Sequence, residues 1–263
     1  MKYGIYLLPT LLTLGNLGLG VYSLICTLGY QFSSAAWAVL GAVAMDTLDG
    51  QVARVTKSSS PFGIEIDSFA DIISFGIAPV LLMYQLVLHN YGRLGIAVAL
   101  FYVIAGVLRL ARYNLKTLQG KETGYYTGLP IPAAAGILVS SVILYEMVEE
   151  EITAKTIPLI MKNVPFLFQV IPLVMFVLSL LMVSGLRYTK LIKLKLTRPK
   201  SYRFLPVIIG AGLLIYAYPQ NMIFIIFAGY ILSGLGEYFL RTYRLRRTNL
   251  RLLRKGVDEY YEK

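Results

Sequence analysis

Charge is scarce in this chain. Of 263 residues only 15% are Asp, Glu, Lys or Arg, while 57% are hydrophobic, and mean hydropathy is +0.65. That balance excludes a soluble domain. Cysteine occurs once, at Cys26, so no intramolecular disulfide can form. Histidine also occurs once, and His89 falls in a short link between apolar runs, where a solvated side chain is expected. There is no repeat of fixed period and no low-complexity tract. The first apolar run follows Lys2 but ends without a small-residue cleavage site, which predicts a retained helix rather than a cleaved leader.

What is abundant is apolar sequence in lengths that can cross a bilayer. Eight spans are expected, at residues 7–28, 35–54, 66–88, 94–112, 131–147, 164–184, 204–217 and 222–240. The fold class is therefore all-α, a polytopic integral membrane bundle. Residues 1–240 form a single transmembrane catalytic domain, and residues 241–263 form a basic cytoplasmic tail. If the link between the second and third spans is cytoplasmic, both termini are cytoplasmic too. Of the 25 lysines and arginines, 22 then lie inside and only Arg93, Lys155 and Lys162 outside, together with the acidic run Glu149–Glu151. Basic residues favour the cytoplasmic side, so this orientation is preferred to its inverse. The same distribution accounts for the net charge of +11 without nucleic acid, and sets the basic tail against anionic headgroups. Trp37 and the tyrosines near span ends read as interface anchors.

Against this background the acidic residues between the second and third spans stand out. They run Asp46-x-x-Asp49-Gly50-x-x-Ala53-Arg54, then eight residues, then Gly63-x-x-x-Asp67-x-x-x-Asp71. With each residue type near roughly 6% of average usage, eight fixed positions arise by accident with probability on the order of 10⁻¹⁰. A separation of three or four residues puts both carboxylates of a pair on one helical face. Two such helices joined by a loop over 56–62 aim four carboxylates at one point. Mutual repulsion makes that cluster unstable unless it is protonated or neutralised by cations. Oxygen-only ligands favour Mg²⁺, Mn²⁺ or Ca²⁺ over zinc, and Mg²⁺ leaves positions for water and phosphate. Gly50, Ala53 and Gly63 leave room for a bulky diphosphate near the backbone, and Arg54 offers it a planar fork. A DG pair alone would be a turn and a lone Asp a helix cap. The full set instead describes a two-metal phosphoryl-transfer site at a membrane face.

This pattern resembles the signature of the CDP-alcohol phosphatidyltransferase family, with every position filled and the spacing kept. Members of that family are polytopic membrane enzymes that join an alcohol to a CDP-linked lipid and release CMP. The resemblance implies that Asp46, Asp49, Asp67 and Asp71 hold two Mg²⁺ or Mn²⁺ ions and that Asp71 also takes the alcohol proton. It places Gly50, Ala53 and Gly63 at the cytidine diphosphate pocket, with Arg54 near the diphosphate. Three further stretches, Ser74–Pro79, Arg109–Asn114 and Gly128–Ala134, are similar to segments of the membrane-embedded phosphatidylserine synthases. The implied reaction moves a phosphatidyl group from CDP-diacylglycerol, or a related CDP-lipid, to the hydroxyl of L-serine. The implied location is the cell membrane with the site at its cytoplasmic face. A homodimer is an option the sequence leaves open, and the Gly124-x-x-x-Gly128 match, in a polar loop, does not argue for one.

The acceptor has a physical correlate. Serine brings a carboxylate, and Arg109 and Arg112 stand three apart at the cytoplasmic end of the fourth span, where an arginine fork can receive it. Inositol phosphate or glycerol phosphate would also want arginines, and plain inositol would leave them unexplained. A cation transporter with intramembrane aspartates is the rival of a different class. Its acids should be spread through the membrane depth, whereas all four lie at one face, and it gives no role to Gly50, Ala53, Arg54 and Gly63. A scaffold without activity has no reason to keep four converging carboxylates.

Overall fold

A computed structural model describes residues 3–56, 61–119, 125–149, 168–189 and 217–238. Helices dominate it. The first, α1 (Tyr3–Leu28), turns at Tyr30 (φ 57°) into α2 (Phe32–Thr56). The turn is closed by backbone bonds from Tyr30 N to Thr27 O (3.1 Å) and from Gln31 N to Cys26 O (2.9 Å). Ala35, Ala36, Ala38, Val39 and Ala42 are buried along α2. Small side chains let backbones approach closely where lipid offers no hydrophobic drive to associate. Ser23 Oγ reaches across to donate to the Ala35 carbonyl (2.9 Å).

The next rod has three parts: α3 (Pro61–Asp71), a π-helical turn (Ile72–Ile77) and α4 (Ala78–Leu86). Pro61 occupies the first helical position, where its missing N–H costs nothing. The widened turn has a cause in Pro79. In a regular helix the proline ring would collide with the Phe75 carbonyl and leave it unpaired. Here the ladder shifts before the proline is reached, and Ala78 N–H donates to Ile73, five residues back. The widening falls directly after Asp71, in keeping with the concentration of π-bulges at functional sites.

A short 3₁₀ turn (Leu88–Tyr91) and Gly92 (φ 52°) reverse the chain into α5 (Gly92–Leu118). His89 lies in that turn and is exposed, as expected of a solvated side chain. Behind these helices stands α6 (Ile131–Glu149), buried almost all round from Ala133 to Leu144, as befits a helix apolar on every side. Two further helices are α7 (Ile171–Val183) and α8 (Pro219–Tyr238).

The purely helical expectation needs one amendment. Strands β1 (Tyr125–Thr127) and β2 (Arg187–Thr189) pair antiparallel, with Tyr126 opposite Tyr188. Three-residue strands are too short to show an alternating pattern. The ribbon is tied to α7 just beyond Thr127. Gly128 adopts φ 81°, and a Cβ there would lie 2.1 Å from the Met182 carbonyl oxygen. Only glycine meets both demands.

Among the described residues four helices are long and apolar enough to cross a membrane: Pro9–Leu28, Phe62–Leu86, Leu88–Thr117 and Pro219–Tyr238. The chain is an integral membrane protein, and these four are fewer than the eight spans expected. Helix α2 is long enough, at 25 residues, but carries Asp46, Asp49 and Arg54 in its last three turns. Ile131–Met147 and Ile171–Val183 are apolar but shorter. Most of the expected seventh span and all of the basic tail lie outside the described residues.

Candidate active site

The carboxylates of Asp46, Asp67 and Asp71 converge: one oxygen from each lies within 4.8 Å of the others. Helix α2 supplies Asp46, and α3 supplies Asp67 and, at its last position, Asp71. Asp46 and Asp67 are half-buried and Asp71 is buried. The fourth aspartate of the motif is placed differently. Asp49 is buried and lies near enough to Asp67 for their charges to repel, but its Oδ2 accepts a short hydrogen bond from Thr13 Oγ1 on α1. One residue of the set is thus turned toward the first helix.

That first helix forms a wall of the site. Asn16 is fully buried; its Nδ2 donates to Asp71 Oδ1 (3.3 Å), and its main-chain carbonyl accepts from Ser74 Oγ in the π-helical turn (2.9 Å). Contact there is close: a Cβ on Gly20 would lie 2.3 Å from Ser74 Oγ and 2.9 Å from Ser74 Cα. Asn16 Oδ1 is buried without a hydrogen-bond partner among the described residues. Thr13 and Asn16 carry no signal in the sequence; both sit inside an apolar run thirty or more residues from the motif.

The donor set suits a hard divalent cation. It offers three oxygen ligands at one point and an orphaned amide oxygen on the residue that holds Asp71, with no sulfur or imidazole in the cluster. Of the residues expected around a diphosphate, Gly50 is exposed on α2, and Ala53 and Gly63 are half-buried on α2 and α3. Arg54 is in the final turn of α2, and its side chain lies outside the described part of the structure.

The two arginines of α5 have different surroundings. Arg109 is buried, near enough to Asp71 and Asp46 for their opposite charges to attract, with its guanidinium over the rings of Tyr113 (5.5 Å) and Tyr126 (5.8 Å). Arg112 Nη1 instead donates to the Val183 carbonyl at the end of α7 (2.8 Å), satisfying an orphan acceptor of that helix terminus. Nearby, Asn114 Nδ2 donates to Ser68 Oγ (2.7 Å), fixing α5 against α3 beside Asp67. Tyr113 and Tyr126 lie beside Arg109, and the Tyr188 and Tyr230 rings pack against each other with centroids 5.7 Å apart.

Comparison with known proteins identifies the family. The family model described as CDP-alcohol phosphatidyltransferase matches residues 6–169. A CDP-diacylglycerol–serine O-phosphatidyltransferase of Helicobacter pylori is 39% identical over 194 residues, covering 73% of this chain and 75% of the relative. One from Bacillus subtilis is 35% identical over 132 residues, 50% of this chain and 73% of the relative. An archaetidylserine synthase of Methanothermobacter thermautotrophicus is 40% identical over 136 residues, 51% of this chain and 56% of the relative. The match spans α1 to α6, the helices that carry and enclose the aspartates, and the chain belongs to the CDP-alcohol phosphatidyltransferase family of enzymes.

Proposed function

We propose that the protein transfers a phosphatidyl group from CDP-diacylglycerol, or a closely related CDP-lipid, to the hydroxyl of L-serine, yielding phosphatidylserine and CMP. The observation that carries the reading is the convergence of Asp46, Asp67 and Asp71, with the buried Arg109 within electrostatic reach of Asp71 and Asp46. The relatives' names supply the acceptor, since each is a serine-lipid synthase.

In this reading Asp46, Asp67 and Asp71, with Asp49 beside them, hold two Mg²⁺ or Mn²⁺ ions. Cations held by these residues would supply charge neutralisation for the diphosphate and for the departing CMP. Gly50, Ala53 and Gly63 leave space for the nucleotide, and Arg54 meets the diphosphate. Arg109 receives the serine carboxylate as a charge-assisted pair. Asp71 removes the hydroxyl proton as the serine oxygen bonds to the β-phosphorus, on the lipid side, and the bond from that phosphorus to the CMP oxygen breaks. A carboxylate is a weak base for an alcohol, so its contribution comes from position and from accepting the proton late. Asn16 keeps the Asp71 carboxylate turned toward the cluster. The site faces the cytoplasm, where the basic residues are concentrated and free serine is available.

The test is CMP release by the purified protein from CDP-diacylglycerol with Mn²⁺ or Mg²⁺, comparing serine with inositol, glycerol 3-phosphate and choline. Serine is expected to support release far better than the others. Preference for inositol or glycerol phosphate would keep the family and refute the acceptor.

A further inference from the structure

Arg109 is only 6% exposed, and its Nε has no hydrogen-bond partner among the described residues. A buried guanidinium with an unused donor needs other support to hold one orientation. Two aromatic rings provide it. Tyr113 lies one helical turn along α5 and comes with the helix, whereas Tyr126 is delivered by β1. The ring centroids are 5.9 Å apart, with planes inclined at 52°.

What sets Tyr126 in place is distant in sequence. Its partner across the ribbon is Tyr188, which is fully buried. The Tyr188 ring lies 5.7 Å from that of Tyr230 on α8. One turn further along α8, a Cβ on Gly234 would stand 2.1 Å from Tyr188 Cε1. Tyr230 and Gly234 thus share a helical face and form a slot for the Tyr188 ring.

We propose that the β1–β2 ribbon is a positioning device for the acceptor subsite: the α8 slot seats Tyr188, and its strand partner Tyr126 closes an aromatic clamp that aims the Arg109 fork at the aspartate cluster. This rests on the reading that Arg109 receives the acceptor carboxylate. Strand β2 and helix α8 lie beyond residue 169, where the family match ends. Acceptor selection is thus assisted from a part of the chain outside the shared catalytic half. Tyr126 and Tyr188 are positioning residues; neither touches the reacting atoms.

The experiment uses the purified full chain in lipid–detergent micelles, as wild type, Tyr126→Phe, Tyr126→Leu and Gly234→Ala. Initial rates of CMP release give KM for serine and for CDP-diacylglycerol separately, and thermal unfolding midpoints are recorded alongside. Tyr126→Leu removes a desolvated cation–π contact, which corresponds to about a three- to thirtyfold rise in serine KM. The KM for CDP-diacylglycerol should stay within about twofold. Tyr126→Phe keeps the ring face and should stay near the wild-type serine KM. Gly234→Ala should raise serine KM in the same direction from α8, a helix that carries none of the aspartates. An unchanged serine KM in both Tyr126→Leu and Gly234→Ala overturns the clamp, and so do parallel rises in both KM values. If the wild type releases CMP with inositol and not with serine, the serine reading itself fails and the clamp with it.

Discussion

Asn16 on the first helix donates its side-chain amide to Asp71, 55 residues away, at 3.3 Å. The aspartate proposed as the base is thus oriented by a residue outside its own motif. Asn16→Leu should lower kcat/KM for CMP release by about 10- to 100-fold, the usual worth of a hydrogen bond to a charged group. Steady-state kinetics at saturating metal checks this, and a rate within twofold of wild type would contradict it.

Gly20 sits where α1 meets the π-helical turn, and an alanine there would drive its Cβ into Ser74. Gly20→Ala should destabilise the protein by about 1–3 kcal/mol through overpacking. The readout is the thermal unfolding midpoint in detergent, with a drop of several degrees expected. An unaltered midpoint would show that α1 and the turn separate without cost.

Arg109 and Arg112 should differ. Arg109→Ala removes the proposed carboxylate partner and should raise serine KM by about 10- to 100-fold, with a much smaller change for CDP-diacylglycerol. Arg112→Ala unties α5 from the end of α7 and should lower the unfolding midpoint more than it alters acceptor preference. Serine methyl ester, without the carboxylate, should be a poor acceptor for the wild type and should discriminate less between wild type and Arg109→Ala. Equal use of serine and its ester by the wild type would refute the grip.

Orientation is tested by thiol labelling after Cys26→Ser. Ser59→Cys and Lys121→Cys should be shielded from an impermeant reagent in intact cells, and Glu150→Cys should react. The basis is the orientation expected from the sequence, which puts 22 of the 25 lysines and arginines on one face. Labelling of Ser59→Cys from outside would invert the proposed topology and remove the site's access to cytoplasmic serine.

The aspartates were legible because helical periodicity converts local spacing directly into a shared face: Asp67 and Asp71 are one turn apart, and Asp46 meets them from the preceding helix. Asp49 shows the limit of that logic. Its position on the face was readable, but its bond to Thr13 depends on how α1 packs, and no local pattern encodes that. Asn16 and Gly20 were hidden for the same reason. The rings beside Arg109 were hidden by ambiguity, since a tyrosine near a span end suits an interface as well as a contact with a buried arginine. The helical class was plain from apolar run length, whereas the ribbon of three-residue strands left no periodic trace. Span number was read from apolar run length; among the described residues four helices meet that measure, and α2, whose last three turns carry Asp46, Asp49 and Arg54, is not one of them.

The most direct test of the whole account is the metal and serine dependence of CMP release from CDP-diacylglycerol by the purified chain. Activity should vanish in excess chelator, return with Mg²⁺ or Mn²⁺, require serine, and be abolished by Asp46→Asn or Asp67→Asn in protein that remains folded. Full serine-dependent release in excess chelator, or undiminished turnover by Asp67→Asn, would contradict it.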